Sequence, residues 1–495
     1  MLRVRTTKTT SGKTAVQVVF RQYQQTIVKK HLGTANSQKE LVNLLKLAKQ
    51  FIEKEEKLRP LWLDQEASHQ LISLANLEID RLSHRFAYQF FSQVYAHNGF
   101  EDLSSQLLKD LAIIRIIEPA SKLRSLKLLD KYFGLKYTEA LIYKNLPELS
   151  QLKSQAETIA VNYAKKYLGF DFSLVFYDVT TLYFEAFTDD DLRKCGFSKD
   201  NKFNQPQILI ALVVNCDGYP VAYQTFAGNK FEGHTFIPTI LKLKEKYKII
   251  HLTIVADAAM LSEANIQELV NHGLNYIVGA RMSNLPLSWI KEIADHLNCQ
   301  EDTYWQKSTK RGFLICAYSA KRAAKDKSDR TKQLQKAAGQ IAQPSSAKKL
   351  KFIKEETKAK LTLNQELIDK AESLEGIKGY YTNLDPQKVT EKLIIARYQE
   401  LWQIEKSFRM AKSDLSARPI FHRKKENIEA HLLIIFISLC LAKSIELKTN
   451  LSLKRVKEMF LEVVDVELKD RLTEDKFLKR TKISQELLKL RELFN

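Results

Sequence analysis

Two aspartates and one charged helical stripe are the residues of this chain whose types and spacing could do chemistry. Asp178 closes the apolar run FSLVFYD and Asp257 closes HLTIVAD, so each carboxylate leaves a buried-looking strand at its end. A lone Asp in such a place is ordinarily a turn or cap residue. Two of them at the same ends of neighbouring strands could lie close enough to share a hard cation, because Mg2+ is held by one or two carboxylates together with substrate phosphate oxygens. Further on, RYQELWQIEKSFRMAKSDL reads as one helix in which Tyr398, Glu405 and Lys412 are seven residues apart. At about 100° per residue a seven-step returns to nearly the same face. One stripe therefore carries a phenol, a carboxylate and an ammonium, with Trp402 and Arg409 beside it. The same pattern fits a solvent-facing stripe held by i,i+4 pairs. The chain order, strand Asp, strand Asp, helical Glu, weighs towards a three-carboxylate site.

The elements that must position these groups can be read from texture. From about residue 171 the chain turns to short β-branched and aromatic runs: FSLVFYD, then QILIALVV, the CDGYP turn and VAYQTFAG, a strand followed by a hairpin. A helix over about 235–247, the strand HLTIVAD, a helix over about 262–272 and the strand NYIVGAR come next. Three strands, a helix, then alternating strands and helices predict an α/β fold with an RNase H-like mixed sheet and helices on both faces. A barrel or Rossmann domain would need a helix after nearly every strand.

Around that core the chain divides into a small β-plus-helix module at 1–60, a mostly helical region at 61–170, a first core part at 171–282, a basic insertion at 283–376, a second core part at 377–445 and a helical tail at 446–495. In the helical region, SKLRSLKLLDKYFGLKYTEALIYKNL has helix-turn-helix spacing about Gly134 and carries Lys122, Arg124, Lys127 and Lys131. This makes it a candidate DNA-binding region, although ordinary bundles share the spacing. The tail is a candidate dimer interface.

Composition points the same way. There are 78 Lys or Arg against 58 Asp or Glu, a net charge of +20 that suits a polyanionic partner. The window 306–360 holds 16 basic and 4 acidic residues, so one segment carries a surplus of 12. That is a solvated helix or a phosphate-tracking arm. Five scattered cysteines with no CxxC pair indicate neither a disulfide framework nor a zinc site. The amino-terminal stretch lacks the apolar core of a signal peptide. The apolar run HLLIIFISLCLA is too short for a bilayer and reads as a buried helix, so no membrane is expected. His234 reads as a helix-start residue, His422 as part of a basic loop with Arg418 and Arg423, and Asp189 to Asp191 as a loop.

The segments YDVTTLYFE, QPQILIALVVNCDGYPVAYQTFAGN and VADAAMLS, with Tyr-x6-Glu-x6-Lys followed by RPIFHRKKENIEAHL, resemble the insertion-sequence DDE transposases. The subgroup indicated has a Tyr/Arg/Glu/Lys helix signature and a long insertion before its catalytic Glu, and the resemblance covers about residues 108–441. It implies that Asp178, Asp257 and Glu405 are catalytic and hold two Mg2+ ions, or Mn2+. It also implies DNA contact by Tyr398, Trp402, Arg409, Lys412, Arg418 and Arg423. Thr180 and Thr181 follow the first Asp as in relatives. The activity implied is endonuclease cleavage at element ends and strand transfer into target DNA, with terminal inverted repeats and target DNA as double-stranded partners. A homodimer in a synaptic complex, in the prokaryotic cytoplasm and on the nucleoid when bound, would carry out this DNA recombination. One position departs: Leu401 stands where the signature has Arg, with Arg409 or Arg418 as possible substitutes. Two alternatives follow, a catalytically silent transposase-derived DNA-binding protein and an RNase H-like nuclease that cuts without joining.

Overall fold

The computed structural model describes residues 2–9, 12–22, 25–55, 76–186, 188–198, 202–260, 262–342, 350–357, 360–471 and 474–495. Its chain forms two compact units: Met1–Ala87, Lys131–Gly134 and Phe460–Ser484 in one, Tyr88–Asp130, Leu135–Met459 and Gln485–Asn495 in the other.

The larger unit is built on eight strands: β1 (Leu174–Tyr183), β2 (Gln207–Val214), β3 (Pro220–Ala227), β4 (Thr253–Ala256), β5 (Asn275–Gly279), β6 (Tyr304–Thr309), β7 (Gly312–Tyr318) and β8 (Ile377–Thr382). Their order across the sheet is β6-β7-β8-β5-β4-β1-β2-β3. β1, β2 and β3 are mutually antiparallel, and β1, β4 and β5 run parallel. The order β3-β2-β1-β4-β5 is the RNase H-like core expected from the run of elements. β2 is buried at every residue, as a central strand covered on both faces must be.

The sheet continues where the sequence suggested only a basic insertion. β6 and β7 pair with each other and β7 with β8, so the insertion adds two strands beyond β8, which itself pairs with β5. Leu314, Ile315 and Cys316 of β7 are buried, but this apolar run sits among lysines and arginines whose charge masks it. Seven of the 16 basic residues of 306–360 lie on the helix Ala320–Ala342, of which only Ala337 is buried.

Helices cover both faces. The Tyr177 hydroxyl lies 2.7 Å from Thr235 Oγ1 and its ring 4.9 Å from Phe236, which sets the helix Gly233–Tyr247 on one face. Successive strand residues point to opposite faces, so Asp178, Thr180 and Leu182 look the other way. There Thr180 and Leu182 share a small cavity with Phe408, Leu432 and Phe436. The helices of the unit used below are α1 (Gln106–Ile117), α2 (Lys122–Phe133), α3 (Glu391–Gln399), α4 (Trp402–Arg409) and α5 (Lys425–Thr449). α2 is followed by Gly134 at φ +78° and the helix Glu139–Gln151, as the spacing predicts. α5 is longer than the apolar run implied: at 25 residues it could cross a membrane by length, but 94% of its apolar window is buried inside the protein. It packs on α1, where Ser438 Oγ donates to the Ala112 carbonyl at 3.0 Å.

The smaller unit contains a meander of Leu2–Lys8, Thr14–Gln22 and Gln25–Ala35. The helix Gln38–Glu55 packs on it through a core of Val16, Val18, Leu32 and Ala48. A second sheet joins Lys476–Arg480, Asp465–Asp470 and Leu77–Ser83. The regions read as helical before the core and in the tail therefore each contain strands. These are short and charged, and Leu77–Ser83 finds its partner near the other end of the chain, so no local signal marks them.

Candidate active site

Asp178 and Asp257 are brought together by register. The parallel pairing of β1 with β4 ends at Tyr177 opposite Ala256, so the next residue on each strand is an aspartate. Neighbouring strands lie about 4.8 Å apart, which makes the two backbone positions adjacent. Asp178 is not at a strand end, as the apolar run suggested. β1 runs on, paired with β2, as far as Tyr183 opposite Gln207. The aspartate thus sits mid-strand, where the sheet opens between β1 and β4. Asp178 Oδ1 accepts from the Val179 amide at 2.7 Å, and Asp257 Oδ1 from the Ala258 amide at 2.6 Å. Asp178 is half-buried and Asp257 exposed.

The helix that carries Glu405 is not the single straight stripe that seven-residue spacing predicts. α3 ends at Gln399, α4 starts at Trp402, and Met410–Asp414 forms a π turn. Between α3 and α4 the bonds tighten to i→i+3: Leu401 to Tyr398 at 3.1 Å, Gln403 to Glu400 at 2.9 Å and Ile404 to Leu401 at 3.2 Å. Glu400 and Leu401 keep right-handed helical dihedrals, so no Gly or Pro announces the change. Tyr398 is consequently buried, Glu405 exposed and Lys412 half-buried beside Thr180.

Tyr398 links the three acids. Burial raises its phenol well above the ordinary tyrosine range, and Asp257, Tyr380, Glu405 and Asp178 all push the same way. The ring rests on Gly279, at the end of β5. A Cβ there would stand 2.4 Å from the hydroxyl, so the close approach requires glycine. Lys378 of β8 was missed by sequence reasoning. Its Nζ lies 4.6 Å from the centroid of the Tyr398 ring. Burial, with Arg322 beside it, pulls this ammonium below the ordinary lysine range, while Asp257 and Glu405 pull it back up. A lysine inside the apolar run IKGYYT was the available signal. Among the described residues no group of three His, Cys, Asp or Glu side chains is close enough to hold a metal ion. The three acids all act electrostatically on the phenol without converging on one ligand position.

A family model of the transposase DDE domain matches residues 170–441, more than half of the chain. The chain belongs to the DDE transposase family. No curated protein matches it. Among solved structures, a piggyBac transposase synaptic complex with hairpin DNA is 11% identical, with 83% of this chain and 78% of that chain covered and a TM-score of 0.33. A Mos1 transposase paired-end complex with left transposon end is 12% identical, with 47% and 66% covered and a TM-score of 0.16. Overlays this loose do not carry the geometry of the site.

Within this transposase, α4 is fixed from both sides. Ser407 Oγ donates to the Gly218 carbonyl in the β2–β3 turn at 2.7 Å. Glu446 of α5 binds Lys406 at 2.7 Å and Lys443 at 2.8 Å. Burial works against the Glu446 charge, but the two ammoniums hold its carboxyl below the usual range. Leu401, where the family signature has Arg, is buried with Ile404 and Phe408. It is a core residue and has no guanidinium to offer. Arg409 is exposed on α4, and Arg418 lies 5.7 Å over the Tyr183 ring. Trp402 is 52% exposed, with Lys406 Nζ 5.8 Å from its ring, and Arg423 is exposed. His234 packs against Phe231 at the start of its helix, and Asp190 pairs with Arg193 at 2.6 Å in a loop. Neither approaches the acids in these contacts.

Proposed function

We propose that this transposase cleaves DNA at element ends and joins the freed 3′ end to target DNA, with Asp178, Asp257 and Glu405 as its metal-holding residues. The observation that carries the reading is one buried phenol, Tyr398, under the influence of all three carboxylates at the open end of an RNase H-like sheet. The donor set fits a hard divalent cation such as Mg2+ or Mn2+, since all three side chains offer carboxylate oxygens. Two of them share neighbouring strand positions, and Asp257 and Glu405 are exposed enough to turn their side chains. When bound, two such ions would activate the attacking oxygen and stabilise the leaving one.

The chain's own residues would hold the DNA. Lys378, whose Nζ lies over the buried Tyr398 ring, and Lys412 supply ammoniums for backbone phosphates. Trp402 offers an exposed face for a base, and Arg409, Arg418 and Arg423 extend the basic surface. Double-stranded element ends and target DNA are the partners, and joining two ends calls for a homodimer.

The test is Mg2+-dependent cleavage of end-sequence DNA. The wild type should cut and Asp257→Ala should not; cleavage retained by Asp257→Ala would overturn the assignment. The burial of Leu401 favours a second reading, a silent DNA-binding derivative. A wild-type chain that binds end DNA but never cuts would establish it. Cutting without joining, with paired ends and a target plasmid, would indicate a nuclease.

A further inference from the structure

The larger unit also buries a cluster of positive charge. Arg115 of α1 and Lys122 of α2 are each 4% exposed. Both aim at one atom: Lys122 Nζ lies 3.2 Å and Arg115 Nη2 3.4 Å from His431 Nδ1. His431 Nε2 stands 3.1 Å from the Ala417 carbonyl, so that nitrogen carries the proton and donates, leaving Nδ1 as acceptor. A single neutral nitrogen thus faces two cations. Burial, then Lys122 and Arg115, drive the His431 imidazole well below its ordinary range, and the same causes pull His422 down to about 4. Burial and Arg115 likewise lower Lys122.

These groups wall a cavity of about 540 Å3, and no carboxylate of the described residues lines it. Glu118, nearby in sequence, is engaged with Arg124 at 2.7 Å. Buried charge without an opposite partner is strongly disfavoured, so an arrangement with two such cations calls for an anion. A second feature agrees. The first turn of α2, a twelve-residue helix with no acid in that turn, faces the cavity through Lys122 and Leu123. Amide groups at a helix start attract anions. Tyr143 and Phe421, 47% and 62% exposed, contribute aromatic surface to the same wall.

We propose that the cavity walled by Arg115, Lys122 and His422 binds a phosphate group, supplied by a DNA strand. The source of the phosphate rests on the reading of the protein as a DNA-processing enzyme; the anion site itself does not. Lys122 and Arg115 make the charge contacts, His422 and the α2 amides complete the shell, and the flanking aromatics meet the nucleoside.

The experiment is thermal melting of the full chain in metal-free buffer, titrated with inorganic phosphate against chloride at matched ionic strength. A ligand that binds only the folded state raises the melting temperature with concentration. The wild type should rise with each tenfold step in phosphate, and Lys122→Met and Arg115→Met should stay flat. Without phosphate, Lys122→Met should melt no lower than the wild type, because it removes an uncompensated charge. If neither variant folds, broadening of the inorganic phosphate 31P signal by the wild type alone supports the site. Displacement of that phosphate by a DNA dinucleotide, whose nucleosides are joined by a phosphodiester, and not by the free nucleosides, assigns the source to DNA; phosphate binding without such displacement overturns the DNA source and keeps a free-anion site. No phosphate-dependent change in the wild type, or equal shifts in both variants, overturns the proposal. Asp257→Ala should keep the wild-type phosphate shift, which separates this result from the fate of the catalytic reading.

Discussion

The three acids around Tyr398 and the two cations around His431 belong to the same unit and meet solvent in opposite ways. Asp257 and Glu405 are exposed and Asp178 half-buried, so like charges gather where water screens them. Arg115 and Lys122 are buried, where repulsion is felt almost in full. Between these extremes stands Glu446, a half-buried carboxylate held between Lys406 and the fully buried Lys443. Where charge serves the scaffold the chain completes the pair, and where it is left uncompensated a ligand of the opposite sign is the natural complement.

The largest expected effect comes from opening the completed pair. Glu446→Gln leaves Lys443, whose side chain is fully buried, without its carboxylate, and should destabilise the protein by roughly 3–5 kcal/mol in chemical denaturation. The wild type should show the same weakness in acid. The Glu446 carboxyl is held below its ordinary value of 4.5. Its contribution is therefore complete above that pH and is lost as pH falls through the lower folded-state value. A melting profile from pH 6 down to about pH 3 should show the wild type losing more stability than Glu446→Gln.

Next in size is Gly279→Ala. The added Cβ would collide with the Tyr398 hydroxyl and should cost about 1–3 kcal/mol while displacing the phenol from the acids. DNA cleavage should fall more than in Tyr398→Phe, which keeps the ring in place; equal activities would show that the ring position is immaterial. Ser407→Ala, which removes the bond from α4 to the β2–β3 turn, should cost about 1 kcal/mol by denaturant melting. The smallest effect is expected of Lys378→Met: uniform weakening across DNA sequences, with the slope of log affinity against log salt reduced by about 1. An unchanged slope would remove Lys378 from the phosphate contacts.

Much of this comparison was legible in the sequence on its acidic side and little of it on its basic side. Asp178 and Asp257 follow apolar runs, and the hairpin after Asp178 carries its turn in CDGYP, so strand type and order could be read locally. Mid-strand placement of Asp178 could not, because it depends on β1 pairing with β2 beyond the end of β4. The tightened turn at Glu400 and Leu401 preserves helical dihedrals and apolar spacing, and so leaves no mark in residue type. β6 and β7 were hidden by the lysines around them. The cluster at His431 joins positions more than 300 residues apart, and no spacing rule reaches that far. Arg115 in particular sits in an apolar helix and reads as an ordinary interruption.

The central claim is that Asp178, Asp257 and Glu405 form one metal-binding set, and binding of Mn2+ to the DNA-free protein tests it most directly. Asp178→Asn, Asp257→Asn and Glu405→Gln should each weaken Mn2+ binding by about tenfold or more, about 1.4 kcal/mol, while Ser407→Ala binds as the wild type does. Wild-type affinity retained by any one of the three acid variants would contradict the account.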